Sequence, residues 1–222
     1  MPERNNFAYL TGALVLLLLL VALADQFEIA VGQVVIQGLI AIVLALGVWS
    51  ISSKTRWRET RIGFLVALLF LTVLGIYLDR VGLDLLWLGI LLAYLALTTW
   101  LTVQLVLFTG SIDWNKIVGT LCIFLLLGLI WVALYMAIAE VSPGAFNGLE
   151  ATSWHETFPD LVYFSFVTLT ALGYGDIGPV VPLARFLAFM EAMVGQIYIA
   201  IVVASVVGIR ISEYPDSGGS AK

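Results

Sequence analysis

The chain has 222 residues, of which 62% are hydrophobic and 11% are charged, and its formal net charge at pH 7 is -5. Its mean hydropathy of +1.08 exceeds what a soluble domain of this length can bury, so the composition predicts an integral membrane protein. The acidic balance argues against a nucleic-acid partner, because binding to phosphates requires a basic face. The single cysteine, Cys122, excludes a disulfide within the chain and is typical of a small buried thiol.

Six apolar runs follow one another along the chain, each long enough at about 1.5 Å per residue to cross roughly 30 Å of hydrocarbon. They lie near residues 7–24, 31–51, 62–78, 85–108, 115–139 and 183–209. The first run ends in Ala22-Leu23-Ala24, which also fits the cleavage site of a secretory signal, but its length favours a membrane helix. The pattern predicts an all-α membrane protein with six transmembrane helices.

The basic residues of the connecting segments predict the orientation of the chain. If the N-terminus is cytoplasmic, eight of the ten lysines and arginines lie on the inner side, and only Arg80 and Arg185 lie outside. Positively charged loops are retained in the cytoplasm, so we expect both termini there, in a multi-pass protein of the cell membrane. The basic cluster from Lys54 to Arg61 could also bind anionic lipid, although the same rule accounts for it.

A segment between the fifth and sixth runs is too short to cross the membrane. About 12 mostly apolar residues, Phe158 to Leu169, follow Thr157, and Pro159 and Asp160 complete a pattern typical of a helix start. A helix of ~13 residues spans only about 20 Å, so it must enter the membrane and return on the same side. Backbone without helical hydrogen bonds is tolerated at that depth only when it is buried in protein or lines a watery path.

The return segment, Ala171 to Asp176, contains alternating glycines. Gly173 and Gly175 adopt φ > 0 at little cost, so successive carbonyl groups can turn to the same side. The helix before it directs its negative C-terminal end, near Thr170, toward the membrane centre. A row of carbonyl oxygens at this place is a ligand set for a partly dehydrated cation.

The stretch Thr168 to Asp176, TLTALGYGD, resembles the signature of tetrameric potassium channels. The resemblance covers roughly residues 115–210 and implies a homotetramer in which each subunit contributes an outer helix, a pore helix, a selectivity-filter loop and an inner helix. It implies that K⁺ binds to backbone carbonyls of the filter. The implied ion-binding residues are Thr170, Ala171, Leu172, Gly173, Tyr174 and Gly175, and the K⁺-binding carbonyls are those of Ala171, Leu172, Gly173 and Tyr174.

The resemblance also implies contacts that support the filter from behind. Tyr174 is expected to lean on Tyr163 and Phe164, and Asp176 to accept a hydrogen bond from Tyr163.

One position departs from the family pattern. Ala171 stands where the family usually has Thr, whose hydroxyl helps to form the ion site facing the inner cavity. Alanine keeps the carbonyl but removes four oxygens from a tetramer, which predicts a weakened innermost site with K⁺ selectivity retained above it. The alternative is a cation channel with relaxed discrimination between K⁺ and Na⁺. Leu172 in place of the usual Val is a milder change.

The sixth run corresponds to the inner helix in this resemblance. Gly195 lies 22 residues after Gly173, where the family often has a hinge, but a small residue that permits close helix contact is an equal alternative. Helical periodicity places further residues on a stripe that would line an apolar vestibule able to gate by dewetting. The inner-helix residues assigned to the hinge and the pore lining are Gly195, Gln196, Ile199, Val203 and Val207.

Glu191 is the only acidic residue well inside this run, and an ionisable group at such depth is a functional candidate. It lies about 80° around the helix from the stripe of Ile199. We therefore expect Glu191 to brace the pore helix through hydrogen bonds to Ser165 or Thr168 rather than to face the ions.

This interpretation divides the chain into a four-helix transmembrane domain (1–110), a pore domain (111–212) and a short cytoplasmic tail (213–222). The first domain resembles a voltage-sensor bundle, but residues 82–110, which contain its fourth run, include no Arg or Lys. Since each charge gains only about 2.3 kcal/mol per 100 mV, steep voltage gating is not expected. The filter itself, lipid, stretch and protons remain alternative stimuli; His155 could sense pH, although a single exposed His is more often a bystander.

Two other classes of membrane protein fit less well. A secondary transporter would show repeated halves with paired broken helices, and an intramembrane enzyme would show a nucleophile with a base or a metal cluster. The sequence shows neither pattern, so we expect no enzymatic activity and no cofactor, with K⁺ as the permeating ion. The expected partners are identical subunits and membrane lipids, with no nucleic acid and no obligate protein partner.

Overall fold

The computed structural model describes residues 7–26, 33–50, 55–77, 81–107, 114–149 and 154–212. The side chains of His155, Val203 and Val207 and the whole of the predicted tail 213–222 lie outside the described part. The described residues form seven α-helices and one short antiparallel ladder. The helices are α1 (Phe7–Gln26), α2 (Gln33–Ser50), α3 (Thr55–Tyr77), α4 (Val81–Leu107), α5 (Trp114–Val141), α6 (Trp154–Leu169) and α7 (Pro182–Ser212).

Each predicted apolar run corresponds to one helix, which confirms the α-helical class. The largest difference in bounds is at α3, which begins at Thr55 rather than at residue 62. Arg58, Glu59 and Arg61 lower the hydropathy of its first two turns, but Arg and Glu are good helix formers, so the helix is longer than its apolar part.

Within the described residues, three helices are long and apolar enough to cross a membrane. These spans are Gly82–Val106, Trp114–Val141 and Pro182–Val202. The apolar segments Phe7–Leu23 and Ile36–Ser50 are shorter. The architecture is that of an α-helical membrane protein, and the count of six spans stays a prediction.

The first four helices pack in sequence order and lie against α5 of the same chain. Consecutive helices contact one another from α1 to α4, and both α1 and α4 pack on α5. The pore helix α6 is held mainly between α5 and α7. A continuous core of buried aliphatic and aromatic side chains joins the four-helix bundle to the outer and pore helices.

One cation of the predicted basic cluster is buried within the bundle. The side chain of Arg61 is fully buried, and its Nη1 donates a hydrogen bond to the carbonyl of Gly47 at 3.1 Å. Nearby, the hydroxyl of Tyr94 donates to the carbonyl of Leu44 at 2.6 Å. Arg61 therefore ties α3 to α2, whereas Arg58 of the same cluster is exposed.

The pore helix is longer than the sequence pattern predicts. It has 16 residues, which corresponds to about 24 Å, and still falls short of the hydrocarbon thickness. Because it already runs from Trp154, Pro159 lies inside the helix and not in its first turn, and the predicted start at Thr157 is wrong. Proline leaves one helical hydrogen bond unmade, a loss that is easier to accommodate near a helix end than in its middle.

A two-residue antiparallel ladder links the segments on either side of the pore helix and filter loop. It consists of β1 (Phe146–Asn147) and β2 (Gly178–Pro179), with Phe146 opposite Pro179 and Asn147 opposite Gly178. The amide of Val180 also donates to the carbonyl of Ala145 at 2.8 Å. The ladder, which the sequence analysis did not predict, fixes where the chain leaves the filter relative to the end of α5.

The inner helix presents an apolar face that one chain does not cover. In the most apolar stretch of α7 only 11% of the residues are buried, whereas 50% are buried in the corresponding stretches of α4 and α5. Large exposed hydrophobic residues recur along it at intervals of three or four. They are Leu183, Phe186, Phe189, Met193, Ile197 and Ile201.

Gly195 lies at the closest approach of the inner and pore helices. The helix α7 continues through it, and a Cβ atom at this position would overlap the carbonyl oxygen of Leu169, the last residue of α6. A Cβ would also lie 3.1 Å from Cδ1 of Leu169. This is the close helix contact that one of the two alternatives for this glycine expects, and the hinge stays a prediction.

We expect Gly195→Ala to lower the thermal stability of the detergent-solubilised protein, because the added methyl group must displace the base of the pore helix. Gly89→Ala in α4 is the matched control, since no atom lies within 4 Å of a Cβ there. Replacing an exposed helical glycine by alanine stabilises by up to about 1 kcal/mol. Melting temperatures that change equally in both variants would contradict the close contact.

Candidate functional site

The pore helix ends in a hydrogen-bonded cap that turns the chain into the loop predicted to be the filter. The amide of Leu172 donates to the carbonyl of Val167, and that of Ala171 donates to the carbonyl of Thr168, both at 2.9 Å. Ala171 itself has φ 55°. This is the Schellman arrangement, in which the residue after the helix takes the left-handed conformation, a place usually held by glycine.

The left-handed conformation then recurs at every second residue. Gly173 has φ 61° and Gly175 has φ 84°, as the sequence analysis expected of these glycines, whereas Leu172 and Tyr174 have φ on the usual negative side. Where residues of opposite handedness alternate, successive N–H groups turn to one side of the chain and the carbonyl oxygens to the other. The alternating sign of φ from Ala171 to Gly175 is compatible with this arrangement.

Almost no side chain of the loop is covered by its own chain. The residues from Ala171 to Asp176 are all exposed, including 58% of Leu172 and 68% of Tyr174. Tyr174 nevertheless has one neighbour in the pore helix, since its ring stacks on that of Tyr163 with centroids 6.4 Å apart and planes within 3° of parallel. The loop conformation is thus set largely by its backbone.

Phe164 has a different place from the one the resemblance implied. It is buried and packs edge-on against the rings of Tyr135 and Phe146, with centroids 5.1 and 5.5 Å away. One residue along a helix corresponds to a rotation of about 100°, so Tyr163 faces the loop while Phe164 faces α5. Within one chain, Tyr174 therefore packs against Tyr163 and not against Phe164.

Asp176 is anchored at the mouth of the loop. The hydroxyl of Tyr163 donates to Oδ2 of Asp176 at 2.8 Å, which is the contact expected from the sequence. This hydrogen bond, together with the backbone amides of Asp176 and Ile177, holds the pKa of the Asp176 carboxyl below its ordinary value. The carboxylate is the form that these donors stabilise.

Glu191 joins the three helices of the predicted pore domain. Its carboxyl group is fully buried and lies at hydrogen-bond distance from residues of both neighbouring helices. Ser165 Oγ of α6 is 2.6 Å from Oε1, and the hydroxyl of Tyr135 in α5 donates to Oε2 at 2.5 Å. The expected contact with Ser165 is present, whereas Thr168 makes no hydrogen bond to Glu191 in the described part of the chain.

The number of hydrogen atoms at this junction bears on the protonation state of Glu191. Ser165 Oγ is also 3.0 Å from the carbonyl oxygen of Gly128, which can only accept a hydrogen bond. One hydroxyl has one hydrogen, so with a carboxylate at Glu191 the Ser165 hydrogen is shared between two acceptors. A proton on Oε1 of Glu191, donated to Ser165, would leave the Ser165 hydrogen for Gly128 alone.

Tyr135 is the residue of this junction that sequence reasoning missed. It lies 56 positions before Glu191, in the run WVALYMAIAE. The available signal was a polar hydroxyl in the middle of an apolar outer-helix run, where a buried polar group needs a partner.

The inner helix contacts the base of the loop through two consecutive residues. Gly195 packs on the carbonyl of Leu169, and Nε2 of Gln196 donates to the carbonyl of Thr170 at 3.4 Å. The hydroxyl of Thr170 lies back against its own helix, 2.7 Å from the carbonyl of Phe166. Ile199 is 38% exposed, while the side chains of Val203 and Val207 lie outside the described part.

The rest of the described chain gives no sign of a catalytic or metal centre. The described residues contain no group of three or more His, Cys, Asp or Glu side chains that could hold a metal ion. The Cys122 thiol is fully buried in α5.

Comparison with known proteins assigns a class to this arrangement. A family model described as ion channel matches residues 119–211, which run from α5 through the pore helix and loop to α7. The matched segment is somewhat under half of the chain. Neither a curated protein nor a solved structure matches the sequence. The match and the helical fold support an ion channel of the membrane.

Glu191→Gln should preserve the junction, because the amide can donate to Ser165 and accept from Tyr135 as the neutral acid does. Glu191→Leu should lower the thermal stability at pH 7, since each buried hydroxyl left without its partner costs about 1–3 kcal/mol. Melting in detergent measures both, with Tyr135→Phe as a variant that removes one contact. Equal losses for Gln and Leu would show that the junction needs an ionised carboxylate instead.

Tyr163→Phe should raise the pKa of Asp176 toward its ordinary value, because the variant loses the hydroxyl that stabilises the carboxylate. The hydrogen bond exists above the pKa of folded Asp176 and is lost as the pH falls through it, so the acidic transition moves to higher pH in the variant. The midpoint of this transition is measured from the infrared band of the Asp176 carboxylate as the pH is lowered. The band is assigned by its disappearance in Asp176→Asn. An unchanged midpoint would mean that the backbone amides alone set this pKa.

Proposed function

We propose that the protein is a potassium channel in which four copies of the chain surround one pore and K⁺ passes through a filter of backbone carbonyl oxygens. The observation that carries the proposal is the run of positive φ angles at Ala171, Gly173 and Gly175 after a capped re-entrant helix. This backbone permits the carbonyls of residues 171–174 to face one side. Carbonyl oxygens in a ring can replace the hydration shell of K⁺.

The homotetramer is supported by what one chain leaves uncovered. A single loop supplies one row of carbonyls, and a ring around an ion needs several. The filter residues and the apolar face of α7 are both exposed in the single chain. Non-helical backbone at membrane depth is tolerated only where protein encloses it, and identical subunits that pack through these uncovered surfaces would provide that enclosure.

The channel lies in the cell membrane with both termini cytoplasmic and the filter on the outer side. Eight of the ten basic residues are then inside, as the positive-inside rule requires. Residues 1–110 form the accessory four-helix domain and 111–212 the pore domain. The absence of Arg and Lys from residues 82–110 supports a channel that is not steeply voltage-gated.

A weakly selective cation channel is the alternative, and Ala171 is the observation that favours it. The side chain lacks the hydroxyl that the resemblance places at the innermost ion site. Reversal potentials under opposed K⁺ and Na⁺ gradients, with the purified protein in planar bilayers, separate the two. A reversal potential near that of K⁺ supports the selective channel, and one near zero supports the alternative. The absence of any current or K⁺ flux in liposomes would contradict both.

Ala171→Thr should strengthen the block of K⁺ current by internal Ba²⁺ several-fold, because four hydroxyl oxygens are added at the inner end of the filter. At φ 55° a β-branched side chain is strained, so the variant should also be less stable. Ala171→Val is the matched control, having the branch without the oxygen. If Thr and Val variants showed the same block, the missing hydroxyl would have no effect on the innermost site.

A further inference from the structure

We propose that the side-chain amide oxygens of Gln196, one from each subunit, form a cation-binding site directly below the filter. The inference rests on the proposed function, since it requires subunits arranged around one pore. It assigns a side-chain ligand that a cation entering from the cytoplasmic side would meet before the backbone carbonyls.

The position of Gln196 relative to the filter is set by its neighbour on the helix. Gly195 packs directly on the carbonyl of Leu169, which fixes the height of α7 against the end of the pore helix. The next residue then reaches the following carbonyl, and Nε2 of Gln196 donates to Thr170 at 3.4 Å. The side chain is therefore held at the inner end of the filter loop.

The orientation of the amide follows from this hydrogen bond. An amide has two donors on its nitrogen and an acceptor on its oxygen, in one plane. With the nitrogen directed at Thr170, Oε1 is the remaining end of the group. It makes no hydrogen bond within the described part of the chain, and Gln196 is exposed in the single subunit.

Among the described residues next to Gln196, the other side chains carry no oxygen or turn it away. Ala171 has none, and the hydroxyl of Thr170 lies 2.7 and 3.3 Å from the carbonyls of Phe166 and Val167 in its own helix. The neighbouring exposed side chains on α7 are apolar, among them Met193 and Ile197. An amide oxygen in such surroundings is the strongest available ligand for a partly dehydrated cation.

The chemistry suits a site through which ions pass. Amide and backbone carbonyl oxygens are ligands for hard cations, and they carry no net charge. Conduction requires binding that is favourable enough to admit an ion and weak enough to release it. A ring of four neutral oxygens meets both conditions for K⁺ and would also hold Ba²⁺.

The same contact has a simpler role, in which the amide only positions Thr170 through its N–H group. The two roles depend on different atoms of one side chain. Gln196→Glu keeps the oxygen and loses the N–H donor, whereas Gln196→Met keeps the approximate length and loses both.

The test is the block of single-channel K⁺ current by Ba²⁺ added to the cytoplasmic side, with the full-length protein in planar bilayers. We expect the blocking constant to rise about tenfold in Gln196→Met and to fall at least as much in Gln196→Glu, where tenfold corresponds to about 1.4 kcal/mol. Ile197→Gln is the control, because it places an amide about 100° away around the helix and should leave the block unchanged.

The outcomes separate this inference from the proposed function. If the wild-type protein conducts K⁺ and the block in Gln196→Met and in Gln196→Glu is unchanged from the wild type, only the Gln196 site is overturned. Weakened block in both variants assigns Gln196 to positioning through its N–H group and also overturns the site. A wild-type protein without K⁺ current overturns the proposed function and this inference together. If Gln196→Met fails to assemble, the comparison of Gln196→Glu with Ile197→Gln tests the site. A blocking constant that falls in Gln196→Glu but not in Ile197→Gln supports it, and one that does not fall in Gln196→Glu overturns it.

Discussion

The junction at Glu191 is the interaction on which the geometry of the pore domain depends. It connects the outer, pore and inner helices through hydrogen bonds of 2.5 to 3.0 Å around one fully buried carboxyl group. Hydrocarbon offers no water to replace a lost partner, so the three helices keep a common register only while every group at this point is satisfied. The place where α6 ends, and with it the start of the filter loop, follows from that register.

The frame built by these helices contrasts with the loop that it carries. The inner end of the loop is fixed by the contact of Gly195 with Leu169 and by the cap of α6. The outer end of the loop is fixed by the short ladder that pairs Phe146 with Pro179. Between them, the loop has few side-chain contacts within its own chain. In the proposed channel its ligands would be backbone oxygens, which need only a conformation, and the exposed side chains of Leu172 and Tyr174 would be available for contacts between subunits.

Local patterns in the sequence predicted much of this, and contacts between distant segments did not follow from them. Hydropathy located the six long helices and the apolar part of α6, the glycine spacing indicated the positive φ angles, and helical register predicted that Glu191 meets Ser165 or Thr168. Tyr135 could not be placed because it belongs to another helix. The ladder has two residues per strand, which is too short for a periodic pattern. The left-handed conformation of Ala171 arises from the cap, where the sequence offers no glycine.

Ala171 serves two purposes that favour different residues. As the residue that caps the pore helix, it must adopt a left-handed conformation, which costs an L-residue roughly 1–2 kcal/mol and a β-branched one more. In the proposed filter, a hydroxyl at this position would add an ion ligand. Alanine satisfies the backbone and leaves the ligand to another residue. If that ligand is the amide of Gln196, the innermost ion site belongs to the inner helix, and any displacement of α7 at Gly195 changes the ion site and the base of the filter together.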